Sequence, residues 1–171
     1  MNYGDFIRDT VLTGCGVKTM RLAASGRSGR TDREVVYHHH SWDPYALNME
    51  RNDATGGWLA RATDLALFAA HVAGFPEPSG ILNPRTIKIM TTPSQANPRY
   101  AHGWSVLRGN WRHDGRLPGT TATMVRTERG YCWAALTNSS NKDGNSGLDD
   151  VLWKMVQSIE HWSPGPPPHR N

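Results

Sequence analysis

The C-terminal half of the chain carries a pattern of apolar and polar positions that predicts antiparallel strands. Residues 120–126 (TTATMVR) alternate between two faces, as a half-buried strand requires. Residues 131–137 (YCWAALT) are almost wholly apolar, which is typical of a central strand covered on both faces. A glycine in the segment 128–130 suits a turn between them. The pattern predicts three consecutive strands within residues 100–138, the first interrupted by the polar tripeptide His113-Asp114-Gly115.

Apolar residues at helical spacing predict helices before and after these strands. One helix covers residues 2–12 with Asn2 as its cap, and a second follows Gly56-Gly57 with Thr63 as its cap. Asn83-Pro84 opens a third, short helix. The last helix has an apolar stripe that we expect to face the sheet, made of Leu148, Val151, Leu152, Met155, Ile159 and Trp162. Together these elements predict an α+β fold, an antiparallel sheet of about three strands flanked by helices.

Length, charge and cysteine content exclude several classes of protein. The 171 residues fit one domain, and the proline-rich segment 163–171 is expected to be a disordered tail. The net charge of +4 is scattered, apart from arginines in the loop 27–33, so we expect no nucleic-acid partner. Cys15 and Cys132 are too few for a disulfide scaffold. Because no apolar run could span a bilayer and no signal-peptide pattern is present, we expect a soluble protein without a membrane partner.

Three consecutive histidines, His38-His39-His40, leave a metal site open as an alternative. Imidazole is the commonest transition-metal ligand. In an extended segment, however, only His38 and His40 share a face, and no second group of ligands can be named elsewhere in the sequence. We therefore predict no metal and no cofactor, with a metal-binding module kept as a competing interpretation of this solvated histidine run.

The segment HDGRLPGTTATMVRTERGYCWAALTN resembles the C-terminal sheet of the serine β-lactamase-like hydrolases, which include class C β-lactamases, DD-peptidases and related esterases. Their third active-site motif is Lys-Thr-Gly or His-x-Gly on a strand, followed by a Pro-Gly turn, a strand ending in Leu-x-Asn and a final helix. Here those features are His113-Asp114-Gly115, Pro118-Gly119, Leu136-Thr137-Asn138 and the helix after them. Residues 2–22, and the Gly56-Gly57 loop with the helix after it, resemble earlier parts of the same domain.

The resemblance implies roles for three residues beside an acylated serine. In the family, the serine of Ser-x-x-Lys is acylated, and its lysine and the tyrosine of Tyr-x-Asn move protons. Carried over to this chain, Gly115 lets substrate approach the backbone, and the N–H of Arg116 donates to the oxyanion. His113, in the place of the lysine, would hydrogen-bond the substrate or the general base. Asp114 would point to the other face of a regular strand and take no catalytic role.

The chain has no credible Ser-x-x-Lys and no Tyr-x-Asn. Ser139-Ser140-Asn141-Lys142 matches the first motif by letters only, because it lies in a polar loop after the last strand. The resemblance therefore covers nearly the whole chain but only the C-terminal half of the family domain, with residues 1–162 forming a partial domain that lacks the nucleophile.

Three hypotheses follow from this sequence. The chain is part of a serine hydrolase that acts on a small acyl substrate (an ester, β-lactam or D-amino-acid amide) once a complementing chain supplies the N-terminal half. Alternatively, it is a non-catalytic remnant that binds a partner or another copy of itself along an exposed sheet edge. The third is the metal-binding module at His38–His40.

Overall fold

The computed structural model of the chain describes residues 1–140 and 146–161. The predicted tail at 163–171, Trp162 of the last apolar stripe, and Asn141-Lys142 of the apparent Ser-x-x-Lys lie outside the described residues. Within those two ranges, no helix has both the length and the apolar composition needed to cross a membrane.

A four-stranded antiparallel sheet forms the C-terminal half of the described chain. Its strands are β3 (Ser105–Leu107), β4 (Asn110–Leu117), β5 (Thr120–Arg126) and β6 (Cys132–Thr137), in the spatial order β3-β4-β5-β6. The antiparallel sheet between helices was predicted, and β3 adds one strand to it. The polar tripeptide His113-Asp114-Gly115 lies within a continuous strand, because residues 111–117 pair with residues 120–126 in one unbroken register.

Strand β6 lies at the edge of the described sheet, whereas its apolar sequence predicted a central strand. Its two faces are nevertheless covered. Cys132 and Ala134 pack against the main core on one face. On the other face, the Trp133 ring meets Trp153 edge-on at a centroid distance of 4.8 Å. The apolar sequence of β6 therefore reflects two covered faces and not two hydrogen-bonded neighbours.

The described residues form four α-helices, three before the strands of this sheet in the sequence and one after them. They are α1 (Tyr3–Phe6), which continues into a π-helical segment (Ile7–Leu12), α2 (Ala62–Val72), α3 (Pro84–Thr91) and α4 (Ser146–Gln157). A small two-stranded sheet, β1 (Arg21–Leu22) and β2 (Trp58–Leu59), links the N-terminal segment to α2. The predicted caps are confirmed at Asn2, which accepts from the N–H of Asp5, and at Asn83, which accepts from the N–H of Thr86.

The predicted cap of α2 at Thr63 is wrong. The cap is Arg61, two residues earlier, so the helix begins at Ala62, and Asp64 in its first turn stabilises the start. The Asp64 carboxylate accepts hydrogen bonds from the N–H of Arg61 at 2.9 Å and from the Thr19 hydroxyl at 2.6 Å. This buried carboxylate therefore satisfies an end group of the helix and ties the N-terminal segment to it.

The main core lies between α2 and one face of the sheet. Its buried members come from α2, the segment before β3, and strands β4 and β5, and they are Ala69, Val72, Trp104, Trp111 and Met124. A smaller cluster of Leu12, Cys15 and Val17 holds the N-terminal segment. Burial raises the pKa of both thiols, Cys15 and Cys132, to about 11, so they are small apolar residues of the interior and not nucleophiles.

Helix α4 covers the opposite face of the sheet, but only part of its predicted apolar stripe is shielded, since Leu148 and Leu152 are half-buried. Val151 is 53% exposed, Met155 58% and Ile159 39%. The sheet-facing side also carries Asp149, which is buried and paired with Arg112 of β4, and Trp153, which packs on Trp133. These two contacts fix the rotation of the helix and leave three residues of the predicted stripe exposed.

Candidate functional site

His113 stands on the face of β4 that looks toward α2. It is opposite Met124 in the β4–β5 register and two residues from Trp111, and both of those side chains are buried in the main core. The His113 side chain is itself exposed. Its Nδ1 lies 2.5 Å from the carbonyl oxygen of Gly103, and its ring meets Trp104 nearly perpendicularly at 6.4 Å. The imidazole is therefore anchored on one side and open to solvent on the other.

Gly115 follows two residues later on the same face as His113. A Cβ atom built there would have Ala122 as its nearest neighbour, at an ordinary contact distance of 3.7 Å. The packing of the described chain therefore does not demand glycine at this position. The bare α-carbon leaves space beside the strand that an alanine would partly fill.

The backbone N–H of Arg116 points away from β5. Leu117 and Thr120 flank the two-residue turn Pro118-Gly119, so they form a hydrogen-bonded pair of the ladder. Alternation along β4 then directs the backbone groups of Asp114 and Arg116 to the side opposite β5. Strand β3 pairs on that side only with residues 110–112. The N–H of Arg116 lies on this same side of β4, beyond the residues that β3 pairs with.

The opposite face of β4 carries an ion-pair network that sequence reasoning missed. The Arg112 guanidinium lies 2.7 Å from Asp114 and 2.7 Å from Asp149 of α4. Burial raises the pKa of the Asp149 carboxyl above its usual value, against the opposing effect of Arg112. As predicted, Asp114 stands on the other face from His113, and its carboxylate is engaged by Arg112.

The first residues of the apparent Ser-x-x-Lys belong to the end of the sheet. The segment 36–38 runs beside them, since the N–H of His38 donates to the carbonyl of Asn138 at 2.9 Å and Ser139 forms a β-bridge with His38. Ser140 is buried, and its hydroxyl oxygen accepts from the N–H of Gly119 at 3.0 Å. Ser139 thus follows a strand, whereas a Ser-x-x-Lys nucleophile requires the start of a helix.

The turn at Gly119 packs closely against residues 37 and 44 of the preceding loop. Gly119 has a φ of +81°, and a Cβ atom there would lie 2.7 Å from Pro44 and 2.8 Å from Tyr37. Only glycine fits both the conformation and the space. Burial raises the pKa of Tyr37 well above its ordinary value, which agrees with this close packing.

The histidine run borders an open depression of about 890 Å³ at the same end of the sheet. The depression is also lined by Trp42, Ser139 and Ser140, and its lining does not include His113, Gly115 or Arg116. Nδ1 of His39 accepts from the N–H groups of Ser41 and Trp42, so this nitrogen is engaged by the backbone. Among residues 1–140 and 146–161, no three His, Cys, Asp or Glu side chains are grouped to hold a metal ion.

Comparison with known proteins gives a family and a fold. The family model described as Beta-lactamase matches residues 1–158. A crystal structure of SurE with D-Leu matches 98% of this chain with a TM-score of 0.65 and 18% identity. A D-stereospecific amidohydrolase from Streptomyces sp. matches 93% of the chain with a TM-score of 0.65 and 14% identity. The comparison with curated proteins gave no significant match.

The chain spans only part of these solved structures. It accounts for 42% of the SurE chain and 50% of the amidohydrolase chain. At identities below one fifth, the likeness establishes a shared fold over nearly the whole of the present chain.

Proposed function

Because the chain belongs to the β-lactamase family, we propose that it supplies the C-terminal part of a serine hydrolase active site. The proposed partial domain spans residues 1–162, and the proposed substrate is a small ester, β-lactam or peptide amide. A complementing chain would bring the nucleophile. The observation that carries the proposal is the sequence of β4, where an exposed imidazole, a bare α-carbon and an outward N–H follow within four residues.

Each of these three groups meets one requirement of acyl transfer. The carbonyl oxygen of an acyl substrate gains negative charge when the serine attacks, and the N–H of Arg116 would stabilise that charge. Gly115 would let the substrate lie against the strand without meeting a side chain. His113 would hydrogen-bond the substrate or the general base. Attack by the serine hydroxyl and acceptance of its proton would fall to the complementing chain.

The isolated chain is expected to be inactive as a hydrolase. Incubation with p-nitrophenyl esters or nitrocefin should give no hydrolysis above the buffer rate, because residues 1–140 contain no serine in a Ser-x-x-Lys at a helix start. A fluorophosphonate or penicillin probe should leave the intact mass of the chain unchanged, with a complete serine β-lactamase labelled in the same reaction as the control. Stoichiometric acylation of the isolated chain would contradict the proposal that the nucleophile comes from elsewhere.

The genomic sequence directly upstream of the Met1 codon offers a positive test of the same proposal. In-frame Ser-x-x-Lys and Tyr-x-Asn codons there would supply the proposed N-terminal half. A protein expressed from that longer reading frame should then accept the acyl probe at its new serine. Its failure to do so, with the fold intact, would argue against a hydrolase.

A second candidate function is a non-catalytic interaction module, and the edge of β6 favours it. The strand CWAALT contains no charge and no proline, which are usual protections of an exposed edge. On the other face of the sheet, α4 exposes Val151, Met155 and Ile159. An unprotected edge and an exposed apolar stripe favour association with another strand-bearing surface.

This second candidate predicts that the purified chain associates. Light scattering over a concentration series should show a molar mass that rises above the 19.0 kDa of one chain. The physical reason is that pairing would satisfy the open backbone groups of β6 and bury the exposed stripe of α4. A monodisperse monomer at every concentration would count against an interaction module.

A further inference from the structure

We propose that Gly103 is a positioning residue that fixes the tautomer of His113, so that the neutral imidazole presents Nε2 as a hydrogen-bond acceptor. This inference rests on the proposed role of His113 and describes how that side chain would meet a substrate. It concerns a contact between a loop and a strand ten residues apart.

The first step is the direction of the hydrogen bond. The His113 Nδ1 lies 2.5 Å from the carbonyl oxygen of Gly103. A carbonyl oxygen can only accept, so the proton of this bond must sit on Nδ1. A neutral imidazole carries one ring proton, and Nε2 is therefore left with its lone pair.

The second step is the origin of the carbonyl's orientation. Gly103 has a φ of +83°, a conformation that residues with a Cβ rarely adopt. The tight turn around it is closed by two backbone hydrogen bonds, from the N–H of Gly103 to the carbonyl of Ala101 and from the N–H of Ala101 to the carbonyl of Trp104. This turn aims the Gly103 carbonyl at the imidazole.

Trp104 completes the support of the imidazole. It is 5% exposed and packs against Trp111 in the main core, so its position is fixed. Its ring meets the His113 ring at an interplanar angle of 78°. Two consecutive residues thus hold His113, one through a hydrogen bond and one through an aromatic contact.

The chemical consequence distinguishes His113 from a lysine in the same place. An ammonium group can only donate hydrogen bonds. A neutral His113 with its proton on Nδ1 instead accepts at Nε2, or takes up a proton there. The substrate group that it would recognise is therefore an O–H or N–H donor, such as a hydroxyl or an amide N–H beside the acyl carbonyl.

The test is the ¹⁵N spectrum of the histidine side chains in the full chain, which separates the two neutral tautomers. We expect the neutral His113 ring to show the pattern of a protonated Nδ1. In Gly103→Ala the pattern should be lost, because the new Cβ meets nothing within 4 Å but strains a φ of +83°. The matched control is Gly26→Ala, which has a φ of +76°, equally open surroundings and no contact with His113.

A wild-type spectrum with the proton of His113 on Nε2 would overturn the proposal, as would an unchanged pattern in a folded Gly103→Ala. The wild-type spectrum decides the tautomer even if that variant does not fold. The result is also separate from the hydrolase proposal. A confirmed tautomer in a chain that no complementing half activates would leave the positioning intact and remove only the catalytic purpose.

Discussion

Replacement of Arg126 by alanine is expected to lower the free energy of unfolding by about 3–5 kcal/mol. The guanidinium lies between the rings of Phe75 and Trp111, with its central carbon 4.4 Å and 4.3 Å from their centroids. It donates to the carbonyl of Ala73 beyond the end of α2 and to that of Gly109 in the β3–β4 turn, both at 3.1 Å. Urea denaturation followed by circular dichroism measures the loss.

The half-buried position of Arg126 explains the size of this effect. Partial burial lowers the pKa of its guanidinium, and two aromatic rings and two carbonyl groups compensate the charge for the water it loses. Arg126→Lys keeps a charge but cannot reach both carbonyls with one planar group, and it should fall between the wild type and alanine. The matched control Arg129→Ala, in the exposed turn after β5, should change stability by less than about 0.5 kcal/mol. Equal losses at positions 126 and 129 would refute this explanation.

Two proline substitutions in β6 should have opposite consequences. The N–H of Ala135 points to β5, because the pair Thr127–Tyr131 closes the ladder and alternation makes Ala135 and Thr123 a hydrogen-bonded pair. Ala135→Pro should therefore lower the free energy of unfolding by about 3 kcal/mol. The N–H of Ala134 points to the open edge, so Ala134→Pro should cost less than about 1 kcal/mol. Thermal denaturation of the two variants measures the difference.

The same pair of variants separates stability from association. Ala134→Pro removes an edge donor and should abolish any concentration-dependent increase in molar mass while the sheet stays folded. Ala135→Pro should destabilise the sheet without a selective effect on association, because the N–H of Ala135 is not at the open edge. If both variants were equally destabilised, the assignment of inward and outward backbone groups along β6 would be wrong.

Local signals in the sequence predicted most of the sheet and the helix caps. Alternation identified β5, a glycine with positive φ identified the turn before β6, and Asn2 and Asn83 cap their helices as predicted. Strand β3 was missed because its hairpin turn consists of Arg108-Gly109, in which Arg108 has a φ of +49°. Turn positions with a positive φ usually carry glycine, asparagine or aspartate, so an arginine at such a position does not predict a turn.

Tertiary contacts decided the features that the sequence could not predict. The rotation of α4 depends on a buried Asp149 paired with Arg112, 37 residues earlier in the chain, which no periodicity reveals. The edge position of β6 depends on which strands lie beside it. The apolar composition of the strand indicates only that both of its faces are buried. The start of α2 was misplaced because Asp64 acts on the helix end with help from Thr19.

The sequence predicted which side chains of the candidate site share a face of β4. It did not predict the contact between β4 and the loop before β3. Alternation placed His113 and Gly115 on one face and Asp114 on the other, and the register of β4 with β5 agrees with that placement. The contact of His113 with the Gly103 carbonyl depends on the path of a short irregular turn. No pattern of apolar and polar residues reports the direction in which that turn aims a carbonyl group.

The four-stranded sheet has a further consequence for how the chain reaches its structure. Every strand pairs with its neighbour in the chain, through short connections at residues 108–109, 118–119 and 127–131. Closing such short loops costs little chain entropy, and a meander of nearest neighbours has a low contact order for a β structure. The sheet can therefore form by pairing each strand with the next one in the sequence, and its formation does not require a strand from a distant part of the chain.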